Sequence, residues 1–363
     1  LISHENGFLN FPQYFGKMPL PSLHEASVFA VAIFFAVSGF IIIVTSQDEN
    51  GTATVGIGKF VVRRLLRIVP FLWLCTISYN LLSWAGTGRL EWAAMMRTLA
   101  IWPLGELKPN VAWSLRHEAL FYALFALTGL AAAGAKRRRL LLVAWVLSPL
   151  PAFAACYDLR MLPLRDGIAS FDLFRLAIMG GENGANLQFG AGMAVGLWFL
   201  RARAAGRLPE VSPWVMTALF VITSAATIVW PIRPGIVRIT VWTMMAALVL
   251  AAAVATSPGR RDAFDRCGMV LGNASFSLYL IHNTVMLIVL AVAMAMPVRP
   301  LGLIGLSAFL TMAIAISVVV CVAAHYWIEA PLIRAMQSLF SRRNPATNPT
   351  PARTGDQSGP RQI

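Results

Sequence analysis

ASVFAVAIFFAVSGFIIIVT, residues 26–45, runs for twenty residues without a charged side chain. At about 1.5 Å per residue a helix of that length reaches about 30 Å, the thickness of a bilayer's hydrocarbon core. A helix that is apolar all the way round belongs in the centre of a large protein or in lipid. Comparable stretches recur outward from it at roughly 67–84, 113–134, 140–157, 186–200, 213–230, 236–256, 270–295 and 302–330. The sequence therefore predicts an all-α, polytopic transmembrane helix bundle with nine spans present. Segment 88–105 is apolar but carries Arg89, Glu91 and Arg97, and reads as an amphipathic helix at the interface.

Composition agrees with lipid as the solvent. The chain is 58% hydrophobic and 13% charged, with a mean hydropathy of +0.67, whereas soluble domains carry about 25% charged residues. A net charge of +14 raises the question of nucleic acid. The basic residues, however, stand in short clusters between apolar stretches, the pattern of cytoplasmic loops, which argues against a nucleic-acid partner and for membrane lipids. With the loop after residue 45 placed in the cytoplasm, nineteen Lys and Arg fall inside against ten outside. Cys75, Cys156, Cys267 and Cys321 are dispersed, so neither a disulfide framework nor a metal site is visible.

That orientation has consequences for both ends. The chain starts at Leu1 with no Met and no basic n-region, and residue 1 falls on the non-cytoplasmic side. Residues 1–4 are expected to end a preceding first helix, for about ten spans in all. The stretch 341–363 is rich in Pro, Ser, Thr and Arg with almost no apolar residues and reads as disordered. The expected division is a membrane domain over 1–334 and a basic cytoplasmic tail over 335–363.

Ionisable and polar groups at membrane depth mark the candidate chemistry. His4 and Glu5 stand at the start of the chain, where a histidine would serve as general base with the carboxylate holding its tautomer, or would be a wet interfacial group. Ser38 and Gly39, inside FFAVSGFII (34–42), form a small polar notch for a ligand or for a neighbouring helix. Arg64 and Arg67, in RRLLR (63–67), share one helix face and would grip phosphates in forked geometry, or anchor the cytoplasmic boundary. WSLRHEALFY (113–122) sets Arg116, His117 and Glu118 just inside a span, as a cavity group or as a favourable acid near a helix N-terminus. SFSLYLIHN (275–283) puts His282 deep in a span, as a satisfied core histidine or a cavity residue.

Taken in order, LISHENGF, FFAVSGF, RRLLR, WSLRHEALFY, SFSLYLIH and HYWIEAP resemble the phrases of the integral-membrane acyltransferase family 3, whose members include bacterial O-acetylases of exopolysaccharide, O-antigen and Nod factor. The resemblance covers residues 1–334. It implies an O-acyltransferase that moves an acyl group, acetyl in the first instance, from cytoplasmic acetyl-CoA or another acyl-CoA to a hydroxyl of a carbohydrate or lipid-linked glycan, with no metal. It also implies catalytic roles for His4, as base or acyl carrier, and for Glu118. Arg64 and Arg67 would hold the coenzyme A phosphates, and Glu5, Ser38, Gly39, Tyr279 and His282 would line the substrate cavity. The family's basic residue ahead of the histidine would precede Leu1. The alternative class is a transporter or flippase of a polar or lipid-linked solute, although the paired repeats with broken helices common in transporters are not seen.

Overall fold

The structure is a computed structural model that describes residues 2–10, 15–131, 135–162, 167–230, 232–256, 263–295 and 302–343. Among the described residues it is all-helical. The α-helices are α1 (Ile2–Leu9), α2 (His24–Ser46), α3 (Ile57–Thr87), α4 (Trp92–Leu99), α5 (Trp113–Ala131), α6 (Ala135–Leu147), α7 (Pro149–Phe153), α8 (Ala169–Phe174), α9 (Ala185–Ala204), α10 (Pro213–Val229), α11 (Ile236–Val254), α12 (Ala263–Asn273), α13 (Ser275–Ala295), α14 (Gly302–Ala324) and α15 (Ala330–Arg343).

Among the described residues, five helical segments are long and apolar enough to cross a bilayer: His24–Ser46, Arg139–Asp158, Ile236–Val254, Ser275–Ala295 and Gly302–Phe340; Pro213–Val229 is apolar but shorter. The expected stretches at 67–84 and 186–200 lie on α3 and α9, and that at 113–134 lies on α5 as far as Ala131, with 132–134 outside the described residues. Their hydropathy is reduced by the arginines of α3, by Arg116, His117 and Glu118 on α5, and by Asn186 and Gln188 on α9. These helices bury Asn80, His117, Glu118, Asn186 and Gln188. Large apolar side chains stand exposed on the outside, among them Ile304 (88%), Trp214 (83%) and Val319 (67%). Faces of that kind are stable in lipid and not in water, and this is a membrane protein.

Several boundaries differ from expectation for local reasons. The 140–157 stretch bends at Ser148, next to Pro149, and finishes in a π turn, Ala154–Asp158. The 270–295 stretch is divided at Ala274, which separates α12 from α13. Helix α14 continues through a π turn, His325–Glu329, into α15. The boundary expected after residue 334 therefore falls inside a helix that runs to Arg343, while 344–363 lie outside the described residues. In the 88–105 segment only Trp92–Leu99 is α-helical. Helix α1 runs to Leu9 rather than ending at residue 4.

Helix α2 is the hub. It lies against α9 so closely that a Cβ at Gly39 would overlap the Phe189 carbonyl, and one at Gly192 the Ala36 carbonyl. Small residues allow backbones to approach in this way when lipid offers no hydrophobic drive. Phe35, Phe71, Leu115, Phe121, Phe189 and Leu280 form the main core, which joins α2, α3, α5, α9 and α13. A second core of Leu9, Met286, Leu290, Phe309, Leu310 and Ala313 docks α1 onto α13 and α14. Asn6 ties the chain after α1 back onto it, donating to the Leu20 carbonyl and accepting from the Leu20 N–H, both at 3.1 Å.

Candidate active site

The polar residues gather in two groups along the bundle. The first is built on Glu118 of α5, a buried carboxylate. Its Oε1 accepts from Ser38 Oγ of α2 at 3.3 Å and from the Tyr122 hydroxyl one turn further on. The Arg64 guanidinium stands over the Tyr122 ring at 5.2 Å and the Phe60 ring at 5.5 Å, and donates to Thr45 Oγ1 at 3.0 Å. Arg64 and Arg67 share a helix face, and the charges of both reach Glu118. Ser38 and Gly39 do different work: Ser38 faces α5 and the carboxylate, whereas Gly39 faces the α9 backbone.

The second group lies where α1 meets α13. Exposed His4 and buried His282 bring their ring centroids to 5.4 Å at an interplanar angle of 59°. His282 Nδ1 lies 2.8 Å from the Leu278 carbonyl oxygen. A carbonyl can only accept, so Nδ1 carries the proton and Nε2 keeps its lone pair. That Nε2 is buried and has no hydrogen-bond partner among the described residues. Glu5 was expected to orient His4, but adjacent helical positions point about 100° apart. Glu5 is fully buried and faces Ser317 of α14 without hydrogen-bond geometry. The ring that meets His4 is His282.

Tyr279 stands one turn before His282 on α13 and is fixed against α2 and the start of α5. Its hydroxyl donates to the Val111 carbonyl and accepts from Ser114 Oγ at 2.7 Å, while Phe34 stacks on its ring. The contacts also fix helix direction. Along α3, Arg64 meets Tyr122 and Asn80 meets the Lys108 carbonyl; along α13, Phe276 meets Phe71, Tyr279 meets Ser114 and Asn283 meets Asn110. Helices α3 and α13 thus run alongside each other in the same direction, both opposed to α5. Summing helical rise from Arg64 to Phe71 and from Phe276 to His282 puts the arginines and the histidine pair roughly 20 Å apart along the bundle.

The sequence did not single out several groups. Arg238 pairs with Glu25 at 3.0 Å and lies over Trp242 at 4.2 Å. Glu329 accepts from Ser277 Oγ at 2.5 Å and meets His325 Nδ1 at 2.9 Å within the π turn. The i,i+4 spacing of His325 and Glu329 inside HYWIEAP was the available signal for that pair. For Glu25 and Arg238 the signal was one charge at the edge of each of two apolar stretches. Among the described residues no group of three or more His, Cys, Asp or Glu is placed to hold a metal ion.

Sequence comparison matches an acyltransferase domain to residues 2–326. The chain belongs to this acyltransferase family. The acyltransferase is also 27% identical over 317 residues to the exopolysaccharide production protein ExoZ of Rhizobium meliloti (strain 1021), covering 84% of this chain and 89% of ExoZ. No solved structure gives a significant match. Family membership favours acyl transfer over solute transport as the reading of the buried polar groups.

Proposed function

We propose that this acyltransferase moves an acyl group, acetyl in the first instance, from cytoplasmic acyl-CoA to a hydroxyl of a carbohydrate or lipid-linked glycan on the other side of a bacterial inner membrane, in a bundle of nine spans. The observation that carries the reading is the separation of an arginine group and a histidine pair by roughly 20 Å along one bundle. Charge bias puts the arginine end in the cytoplasm, where acyl-CoA is made. The donor's flexible arm then runs between α2, α3, α5 and α13 towards His4. The likeness to an exopolysaccharide production protein supports a carbohydrate acceptor.

In this reading Arg64 and Arg67 hold the donor's diphosphate, with Glu118, itself fixed by Ser38 and Tyr122, positioning them. His4, exposed at the acceptor side, takes the proton of the acceptor hydroxyl as its oxygen attacks the thioester carbonyl. The new C–O bond forms, the C–S bond breaks, and the departing thiolate is protonated. Tyr279, on α13, lines the passage. The pairs Glu25–Arg238 and His325–Glu329 lie outside this scheme as packing elements.

His4→Ala in the native protein is expected to lower transfer by about 10²–10⁴-fold while membrane insertion is retained. Undiminished activity overturns the assignment of the base. Replacing Arg64 and Arg67 with Gln is expected to weaken acyl-CoA binding and leave acceptor binding intact; unchanged donor affinity overturns the phosphate assignment. Mass spectrometry of surface glycans made with and without the protein identifies both acceptor and acyl group.

A further inference from the structure

The turn between α2 and α3 is a closed, hydrogen-bonded structure. Thr54 N–H donates to the Ser46 carbonyl at 2.8 Å and Asp48 N–H to the Thr52 carbonyl at 3.0 Å. The Asp48 carboxylate turns inward and accepts from the N–H groups of Asn50 and Thr52 at 3.0 and 2.8 Å. Gly51, at φ +76°, takes the left-handed position that the tight turn requires. Two neighbouring carbonyls are thereby presented outward, and two arginines from different helices reach them. Arg201 Nε, at the end of α9, donates to the Glu49 carbonyl at 3.1 Å, and Arg139 Nη2, on α6, donates to the Asn50 carbonyl at 3.3 Å. Arg64 grips Thr45 at the stem of the same turn.

Arginines that serve only to anchor a boundary have no need of a tether, and holding two such long side chains in place costs rotamer entropy. Each guanidinium spends one of five N–H donors on its carbonyl. Among the described residues neither meets a carboxylate within ion-pair distance. The two guanidinium groups are held at adjacent carbonyls, and a doubly charged anion placed between them would pair with both. A phosphate monoester supplies about −1.5 to −2 charges and three acceptor oxygens.

We propose that Arg139 and Arg201, held on the turn whose stem Arg64 grips, form a second anion site that takes a phosphate monoester. This rests on the acyl-CoA reading above: Arg64 and Arg67 take the diphosphate, and Arg139 and Arg201 take the separate 3′-phosphate on the donor's ribose. The headgroup phosphate of an anionic lipid shares this chemistry and is the competing source.

The test compares acetyl-CoA with 3′-dephospho-acetyl-CoA, binding each to the native protein and to an R139Q/R201Q variant in nanodiscs of zwitterionic lipid. The native protein is expected to bind the dephospho form about tenfold or more weakly. The variant is expected to lose that discrimination by binding acetyl-CoA as weakly as the dephospho form, with dephospho affinity unchanged, which also shows that it is folded. Equal binding of the two donors by the native protein overturns the inference and leaves the donor reading standing. No binding of either donor overturns both. Equal binding of the two donors together with native-protein retention of anionic lipid that the variant loses assigns the pair to a lipid headgroup and overturns the donor site.

Discussion

The ring of His4, near the start of the chain, stands 5.4 Å from the ring of His282, near its end. The two are unlike in setting. His4 is exposed, whereas His282 is buried, its Nδ1 proton committed to the Leu278 carbonyl and its Nε2 lone pair without a partner among the described residues. A buried acceptor left unpaired is costly. The one aromatic base beside it is the residue to which the proposed chemistry gives the proton.

His282→Phe keeps the ring contact and removes the lone pair. The expected result is a fall in kcat of about ten- to a hundredfold, part of the 10²–10⁴ that acid–base catalysis contributes, with the KM for acyl-CoA unchanged because the arginines lie at the other end of the bundle. Steady-state kinetics with the donor varied reads the split. Unchanged kcat removes His282 from the chemistry.

The α2–α9 crossing is a stability prediction independent of function. Gly39→Ala or Gly192→Ala drives a methyl group into a backbone carbonyl. Overpacking of this kind costs about 1–3 kcal/mol or more, and the unfolding temperature in detergent should drop. Gly86→Ala, on α3 with open space around it, serves as control and should hold or raise stability by up to about 1 kcal/mol.

Tyr122→Phe retains the ring beneath Arg64 and removes the hydroxyl that donates to Glu118. Loss of a hydrogen bond to a charged group costs about 1.5–3 kcal/mol. Thermal unfolding should register it, while donor affinity stays close to native because the cation–π contact survives.

The Glu25–Arg238 pair has side-chain exposures of 26% and 10%. Glu25→Gln leaves Arg238 over Trp242 without its counter-charge. The expected destabilisation is about 2 kcal/mol, below the ~3–5 kcal/mol of a fully buried pair because Glu25 is partly solvated. Adding Arg238→Met should restore much of the loss, which a double-mutant cycle measures. An uncorrected double variant indicates that Arg238 has a role beyond the pair.

Much of the architecture was legible in one dimension because lipid imposes a simple rule: a crossing helix must be apolar over about 20 residues. That rule located α2, α11, α13 and α14. It had less to say about α3, α5 and α9, whose polar residues dilute the signal, and nothing to say about the π turns at Ala154–Asp158 and His325–Glu329. A π turn depends on how a helix is held by its neighbours, and hydropathy carries no trace of that. The candidate residues His4, Glu118, Arg64, Arg67 and His282 were all visible as ionisable groups in or beside apolar stretches. The pairing of His4 with His282 rather than with Glu5 was not, because residues adjacent in sequence diverge on a helix.

The sequence by itself determined the all-helical membrane bundle, its family and the residue types available for chemistry, since all three depend on composition and order along the chain. Tertiary structure alone decided which of those residues meet. Ser38 and Tyr122 close on Glu118, His282 meets His4, and Arg139 and Arg201 converge on the turn between α2 and α3. Each of these contacts joins different helices or opposite ends of the chain, apart from Tyr122 one turn from Glu118. They depend on the close α2–α9 crossing and on the shared direction of α3 and α13, which are products of side-chain packing rather than of any local pattern.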